Sequence, residues 1–302
     1  MPVRYWVIIM LVGITFGSSF LLIEIAAREL APLTMAAGRS IVAAAVCWLV
    51  VLVQRIPLPR DPALILQLLG LGVLSYAFSF VLMPITQSYI STGLVAMINL
   101  LLPIMTLVVA HFWPGGEKAS RRKVLGAAIG FAGAVILGLP SFAQGLGGQT
   151  VGVLLCLLST FVFAIAFNVT RSFATQRPQV VAALAMTGAM LTTLPAALAF
   201  ENLPATIAPA TWMAWLALGL FPTALNFQIM YWMLPRIGAT NFSVNAYISP
   251  IVATLLGTTL LGEVFSPLHL IGFLVVMAGL LIIDGRVVAR LRKGAAARGQ
   301  AA

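Results

Sequence analysis

Charged side chains are scarce in this chain of 302 residues. Only 8% of its residues are charged, with 7 acidic residues against 17 lysines and arginines, whereas 61% are hydrophobic. The mean hydropathy is +1.08. Soluble globular domains carry about 25% charged residues. The composition therefore excludes an ordinary soluble domain and predicts an integral membrane protein.

Motifs of enzymes and of nucleic-acid binding are also missing. The sequence has no His-Glu-x-x-His, no Gly-x-Ser-x-Gly and no paired intramembrane aspartates, so we predict no enzyme, no metal site and no cofactor. The net charge is +10, but no stretch of basic residues is interleaved with stacking aromatic residues, so no nucleic-acid partner is expected. By helix rise, Cys47 and Cys156 differ in depth by roughly 10 Å, which is too far for a disulfide. We expect both cysteines to be packing residues.

Ten apolar segments have about the 17–25 residues that a bilayer span requires. We predict helices near residues 5–27, 32–53, 64–88, 91–112, 123–139, 150–171, 180–200, 210–234, 240–261 and 268–288. Fifteen of the 17 lysines and arginines lie before the first helix, in the even-numbered loops or at the helix ends that border them, or at and beyond the end of the last helix. Only Arg28 lies in an odd-numbered loop, and Arg39 lies inside the second helix. The positive-inside rule therefore predicts an even number of spans with both termini in the cytoplasm.

The sequence pattern of residues 91–133 repeats at residues 238–279. At an offset of 147, Pro103 falls on Pro250, and after a slip of one residue Glu117 falls on Glu263. Two matching halves of five helices must enter the membrane from opposite sides, because five is odd. We predict inverted repeats at residues 1–139 and 140–288, followed by a basic cytoplasmic tail at 289–302. Inverted repeats are typical of secondary transporters, whose substrate site lies near mid-membrane between the halves.

Acidic side chains are absent from the middle of the predicted spans. All seven lie at or near the predicted membrane surfaces: Glu24, Glu29, Asp61, Glu117, Glu201, Glu263 and Asp284. A carrier coupled to protons or sodium commonly needs a carboxylate in its transport path. The distribution therefore favours facilitated export or exchange.

Polar and aromatic side chains concentrate in the first, third, fourth, sixth, eighth and ninth helices, which predicts a central cavity between them. We predict these substrate-binding residues: Ser19, Tyr76, Phe80, Met83, Asn99, Phe163, Phe227, Tyr231, Asn241 and Asn245. We predict these hinges for alternating access: Pro84, Pro103, Pro222 and Pro250. The alternatives are hydrogen bonds within a helix for serine, core packing for the aromatics, bonding between helices for the asparagines and rigid kinks for the prolines.

Arg39 begins roughly 10 Å below the outer surface by helix rise. Glu24 is the nearest acid in sequence, so we expect a structural ion pair between the first two helices rather than a carboxylate-binding arginine. The glycines of the fifth and tenth helices, including Gly126 and Gly279, suit close helix packing. They predict scaffold or dimer surfaces, and both a monomer and a homodimer remain open.

Together these residues resemble the drug/metabolite transporter superfamily of EamA type. The resemblance rests on Gly13 to Phe20, on the interval from Pro32 to Arg39, and on the repeated Pro…Gly-Glu…Gly pattern. It implies ten helices in two inverted repeats, alternating access and export of small metabolites from a bacterial inner membrane. The chain is most similar to the aromatic and neutral amino-acid exporter branch, so we expect an amino acid as substrate. The alternative is export of another small apolar metabolite or drug, with a proton gradient as one driving force to consider.

Overall fold

The computed structural model describes residues 2–114, 118–143, 145, 147–237 and 245–284, and this described part contains helices and no strand. We number the helices in chain order as follows: α1 (Val3–Ala27), α2 (Pro32–Val53), α3 (Pro62–Gln87), α4 (Thr92–Phe112), α5 (Arg121–Phe142), α6 (Gly148–Arg171), α7 (Pro178–Phe200), α8 (Pro209–Leu218, continued by Gly219–Leu225 and Asn226–Ile237), α9 (Asn245–Leu260) and α10 (Pro267–Asp284). Glu117, the predicted binding residue Asn241 and the predicted cytoplasmic tail at 289–302 lie outside the described residues.

Nine of these helices are long and apolar enough to cross a membrane, counting only residues that the structure describes. The exception is α9, whose 16 residues fall short of the usual span. Helix starts follow from local chemistry. The Ser91 hydroxyl accepts a hydrogen bond from Leu94 N at the start of α4, and Ser120 and Ser266 do the same at the starts of α5 and α10. Ser120 and Ser266 occupy matching positions of the repeat, so α5 and α10 begin in the same way.

Two helices extend slightly beyond their predicted ends. Pro140 and Pro235 directly follow the predicted ends at 139 and 234, yet α5 continues to Phe142 and α8 to Ile237. Each proline lies in the last turn of its helix. It removes one backbone hydrogen bond there, and no further helical turn follows that a kink would displace. The helices therefore extend a few residues beyond the boundaries that the prolines suggested.

Irregular turns interrupt three of the helices. Helix α3 contains a π-helical turn at Val73–Ala77, and α8 contains one at Gly219–Leu225. At the offset of 147 these two turns overlap. Helix α4 breaks between Asn99 and Leu102, just before Pro103, as predicted.

The remaining predicted hinges behave differently from one another. Pro222 lies within the π-turn of α8, whereas Pro84 and Pro250 lie inside regular helical segments. Pro84 and Pro250 therefore do not end their helical segments. Membrane helices tolerate such prolines because adjustments in nearby turns and neighbouring helices satisfy the freed backbone groups. Hinge motion at any of the four prolines stays a prediction.

The repeated glycines bring α5 and α10 into backbone contact. A methyl group added at Gly279 would lie 2.5 Å from Gly126 O, and one added at Gly133 would lie 2.9 Å from Gly272 O. The predicted close packing thus occurs between two helices of the same chain. Of the two surfaces that these glycines could form, scaffold or dimer, the structure shows the scaffold.

Candidate functional site

Four of the predicted binding residues form one aromatic cluster. The Tyr76 ring centroid lies 5.0 Å from Phe227, 5.7 Å from Phe80 and 6.2 Å from Phe163. These rings come from α3, α6 and α8, so both halves of the chain contribute. Tyr76, Phe80 and Phe227 are each only 5% exposed, because the rings pack against one another. We call these four residues the aromatic cluster.

The π-turns position this cluster and a neighbouring hydroxyl. Tyr76 lies in the π-turn of α3, and Thr223 lies at the matching position in α8. Pro222 has no N–H, which leaves a helix carbonyl without its usual donor. The Thr223 hydroxyl donates a hydrogen bond of 2.7 Å to Leu218 O, five residues earlier. This bond fixes the hydroxyl, so its oxygen is available as an acceptor in a set direction.

Arg39 uses that acceptor. Its Nε donates a hydrogen bond of 2.8 Å to Thr223 Oγ1, and its Cζ lies 3.8 Å from the centroid of the Phe80 ring. The side chain is 8% exposed. The expected ion pair with Glu24 is wrong, because the long arginine side chain reaches α3 and α8 instead of α1. A guanidinium on an aromatic face is a cation–π contact that strengthens when it is removed from water.

Asn99 and Met83 form a second contact beside the break in α4. Asn99 Nδ2 donates to Val95 O at 3.0 Å, and its Oδ1 accepts from Thr160 Oγ1 of α6 at 3.3 Å. The Met83 sulfur lies 3.8 Å from the same amide nitrogen. Asn99 thus accepts a hydrogen bond from another helix, and its role in substrate binding stays a prediction.

The other predicted residues do not join the aromatic cluster in the described part of the chain. Ser19 donates to Phe16 O within its own helix, which is the alternative that the sequence left open. Asn245 is buried at the start of α9, where its backbone carbonyl oxygen faces Gly13 of α1. Asn241 and the side chain of Tyr231 lie outside the described residues.

Open spaces lie at the side and end of the bundle. One of about 440 Å³ is lined by residues 27–32 together with Pro84, Ile85 and Ser88. Another of about 260 Å³ is lined by apolar residues and threonines of α2, α3 and α7. The aromatic cluster occupies part of the space where the sequence predicted a central cavity.

Three carboxylates join the two halves at one end of the bundle, which we call the Arg-poor end because Arg28 is the only basic residue in its loops, 28–31, 88–91, 143–147, 201–208 and 261–266. Glu201 accepts from Leu33 N at 2.8 Å, and from Thr34 N and Thr34 Oγ1 at 2.7 and 2.8 Å. Glu263 accepts from Thr92 N and Gly93 N at 2.6 and 3.0 Å.

Glu29 completes this set, which we call the clasp glutamates. It accepts a hydrogen bond of 2.8 Å from Ala208 N. Each of the three carboxylates comes from one half of the chain and caps a helix start of the other half, where unpaired N–H groups and the helix dipole favour negative charge. The clasp glutamates therefore hold the halves together at the Arg-poor end.

Sequence reasoning missed several of these partners. It placed the clasp glutamates near the surface without assigning them a role. A signal was present for two of them, because the helices that begin after Ala31 and Ala208 have no capping side chain of their own. Thr223 was seen only as one polar residue among many, and the signal was the proline directly before it.

Comparisons with known proteins agree with a membrane transporter. The model of the EamA-like transporter family matches the chain twice, over residues 4–139 and 150–284. An uncharacterized transporter of Archaeoglobus fulgidus is 25% identical over 286 residues, which is 93% of this chain and 98% of that protein. The uncharacterized inner membrane transporter YedA of Escherichia coli strain K12 is 26% identical over 274 residues, or 89% of this chain and 87% of YedA.

A relative with a more specific name is a probable terminal-alkyne amino-acid exporter of Streptantibioticus cattleyicolor. It is 25% identical over 240 residues, which is 79% of this chain and 78% of that protein. A solved crystal structure shares the fold, with a TM-score of 0.68 at 20% identity over 94% of this chain and 98% of its own. With both halves matched by the family model and nine candidate membrane spans in the described part, the chain belongs to the EamA-like transporter family, as its sequence motifs predicted.

Proposed function

We propose that the protein is a secondary transporter that exports small amphipathic metabolites, mainly neutral and aromatic amino acids, by alternating access along a path between its two halves. The observation that carries this proposal is the aromatic cluster, because both halves contribute rings to it and both π-turns lie beside it. A wall of aromatic rings accepts apolar or aromatic side chains. No carboxylate of the residues that the structure describes lies among these rings, which supports facilitated export or exchange.

The proposal includes ten membrane helices in two inverted repeats with both termini in the cytoplasm of a bacterium, in its inner membrane. Three observations support this arrangement. The family model matches the chain twice, the π-turns overlap at the repeat offset, and fifteen of the 17 basic residues fall on one side of the predicted spans. YedA is named as an inner membrane transporter.

An amino-acid substrate is supported by two independent features. A relative at 25% identity is named as a probable exporter of a terminal-alkyne amino acid. The aromatic cluster also lies directly beside the cationic Arg39, so apolar and polar recognition elements are neighbours. Amphipathic molecules with one charged end match this pairing.

Proteoliposomes containing the purified protein test the proposal. Labelled phenylalanine and leucine should enter down their gradients with saturation, and unlabelled amino acid on the far side should accelerate exchange. Phe227→Ala should slow this flux. Phe221→Ala is the matched control, because Phe221 is 47% exposed in the neighbouring π-turn and should leave flux unchanged. Flux no faster than in empty liposomes, with no stabilisation by any amino acid, would contradict the proposal.

The second candidate is export of another small apolar metabolite or drug, with a proton gradient as one driving force to test. The largely apolar character of the aromatic cluster is compatible with such substrates. Resistance profiling of cells that overproduce the protein separates the candidates. Protection against drugs without amino-acid flux favours the second, and the dependence of that protection on a proton gradient shows its driving force.

A further inference from the structure

We propose that Arg39 binds the carboxylate of the transported substrate, which makes the carboxylate a requirement for recognition. This inference rests on the proposed function and deepens it. It concerns the guanidinium of a residue that lies inside a predicted span and is 8% exposed. The substrate class is an aromatic or apolar molecule that carries one carboxylate group.

The hydrogen bonds of Arg39 are incomplete in the described part of the chain. Its Nε donates to Thr223, but neither terminal nitrogen, Nη1 or Nη2, donates to a described residue. No carboxylate of the described residues pairs with it. A buried charge is normally paired, because removing it from water is costly. The unused donors of Arg39 therefore call for an anion that the rest of the described chain does not supply.

The guanidinium is held in place before any anion arrives. The missing N–H of Pro222 leaves Leu218 O to accept from the Thr223 hydroxyl, and the same hydroxyl oxygen accepts from Arg39 Nε. The Phe80 ring covers one face of the guanidinium at 3.8 Å. With Nε and one face engaged, the paired donors on the two terminal nitrogens remain for a ligand. A planar carboxylate matches such a pair in bidentate geometry.

The position of Phe80 connects this anion site to the aromatic cluster. The Phe80 ring contacts the Arg39 guanidinium, and its centroid lies 5.7 Å from that of Tyr76. A molecule whose carboxylate meets Arg39 would place its apolar part against Tyr76 and Phe227. The site therefore selects for molecules that have both groups, and it rejects analogues in which the carboxylate is blocked.

Three aromatic ligands test the proposal with the purified full-length protein. Phenylalanine has a carboxylate and an amine, 3-phenylpropionate has only the carboxylate, and phenylalaninamide has only the amine. Calorimetry should show that both carboxylates bind about 10- to 100-fold more tightly than the amide, as expected for hydrogen bonds between charged groups. Arg39→Gln should reduce this preference to about 1, and Arg39→Lys should retain part of it. Arg28→Gln removes the same charge from an exposed position and should leave the preference intact.

Thr223 serves as a positioning residue, so its variants give a second readout if Arg39→Gln does not fold. Thr223→Val should lower the preference for a carboxylate several-fold while the amide binds as before, and Thr223→Ser, which keeps the hydroxyl, should restore the preference. A purely structural role for Thr223 would weaken all three ligands alike and would contradict the positioning argument. Inorganic phosphate is included as another anion, and binding as tight as that of 3-phenylpropionate would overturn the assignment to a carboxylate.

The outcomes separate this inference from the proposed function. If 3-phenylpropionate binds through Arg39 but amino acids neither bind nor move, the carboxylate site stands and the amino-acid exporter is wrong. If phenylalanine and its amide bind equally to the wild type, or if Arg39→Gln keeps the preference, the carboxylate site is wrong while amino-acid transport can stand. If none of the three ligands binds, both proposals are overturned.

Discussion

Replacing Glu201 by glutamine tests whether the clasp glutamates keep the Arg-poor end closed. The side chain keeps its size, but it loses its charge and one of its two acceptor oxygens. In the native protein that carboxylate accepts three hydrogen bonds, from Leu33 N, Thr34 N and Thr34 Oγ1. These bonds exist only while the two halves are together at this end, so the substitution weakens the closed arrangement specifically.

The expected magnitude follows from the strength of such bonds. Hydrogen bonds to a charged group contribute about 1.5–3 kcal/mol, and neutral ones contribute about half as much. The amide keeps one acceptor, so one of the three bonds is lost and the other two weaken. Because Glu201 is only partly buried, water replaces part of this loss, and we expect a net loss of about 1.5–3 kcal/mol from closure. Since 1.4 kcal/mol is a factor of ten, the population open at the Arg-poor end should rise about 10- to 100-fold.

Thiol labelling measures this opening. Ala26 is completely buried near this end of α1, while its neighbour Ala27 is exposed. In a background in which both native cysteines are replaced by alanine, Ala26→Cys should react with a membrane-impermeant maleimide about 10- to 100-fold faster when Glu201→Gln is present. Ala27→Cys should react equally fast in both backgrounds, which controls for intrinsic reactivity.

Asp61→Asn is the matched control for loss of a carboxylate cap. Asp61 caps its own helix by accepting a hydrogen bond of 2.9 Å from Ala63 N, so this contact does not connect the two halves of the chain. It should leave the labelling of Ala26→Cys unchanged. If Glu201→Gln also leaves that labelling unchanged, alone and combined with Glu263→Gln, then the clasp glutamates do not hold this end closed.

Three further predictions concern packing and transport. Gly279→Ala should lower the melting temperature, because its methyl group would meet the backbone of α5, whereas Gly70→Ala should not, since nothing lies within 4 Å of an added Cβ there. Asn99→Leu removes the hydrogen bond that Thr160 of α6 donates to Asn99. This substitution should slow phenylalanine flux about tenfold, corresponding to about 1.4 kcal/mol. Unchanged flux would show that this hydrogen bond does not contribute to transport. Cys47 and Cys156 are completely buried, so the native protein should resist maleimide until it is denatured, as mass spectrometry would show.

The sequence predicted the helices well because hydrophobic length and helix-start chemistry are local properties. The segment predicted at 32–53 matches α2, and the glycines around Gly126 and Gly279 pack as their spacing indicated. The aromatic cluster was also predicted in part, because residues that recur on polar helix faces tend to meet at the centre of a bundle. Four of the ten predicted binding residues form that cluster.

The misses share a physical cause, which is that the partner is distant in sequence. Arg39 bonds Thr223, 184 residues away, and Glu201 bonds Thr34, 167 residues away. Proximity along the chain suggested Glu24 for Arg39, but a long flexible side chain selects its partner by the packing of whole helices. The π-turns were also invisible, since an extra residue in a turn leaves the hydrophobic pattern of a fully apolar helix unchanged.

Two of the three clasp glutamates have neutral counterparts in the repeat. At the offset of 147, Glu201 corresponds to Gln54 and Glu29 corresponds to Gln176, whereas Glu263 corresponds at the offset of 146 to Glu117, which lies outside the described residues. Among the residues that the structure describes, neither glutamine caps a helix of the other half. A neutral amide bonds an N–H group about half as strongly as a carboxylate. We therefore expect Glu201 and Glu29 to favour closure at the Arg-poor end, which faces outward in the proposed topology. Under the proposed function, this bias keeps the unloaded carrier accessible to the cytoplasm, where an exporter must collect its substrate.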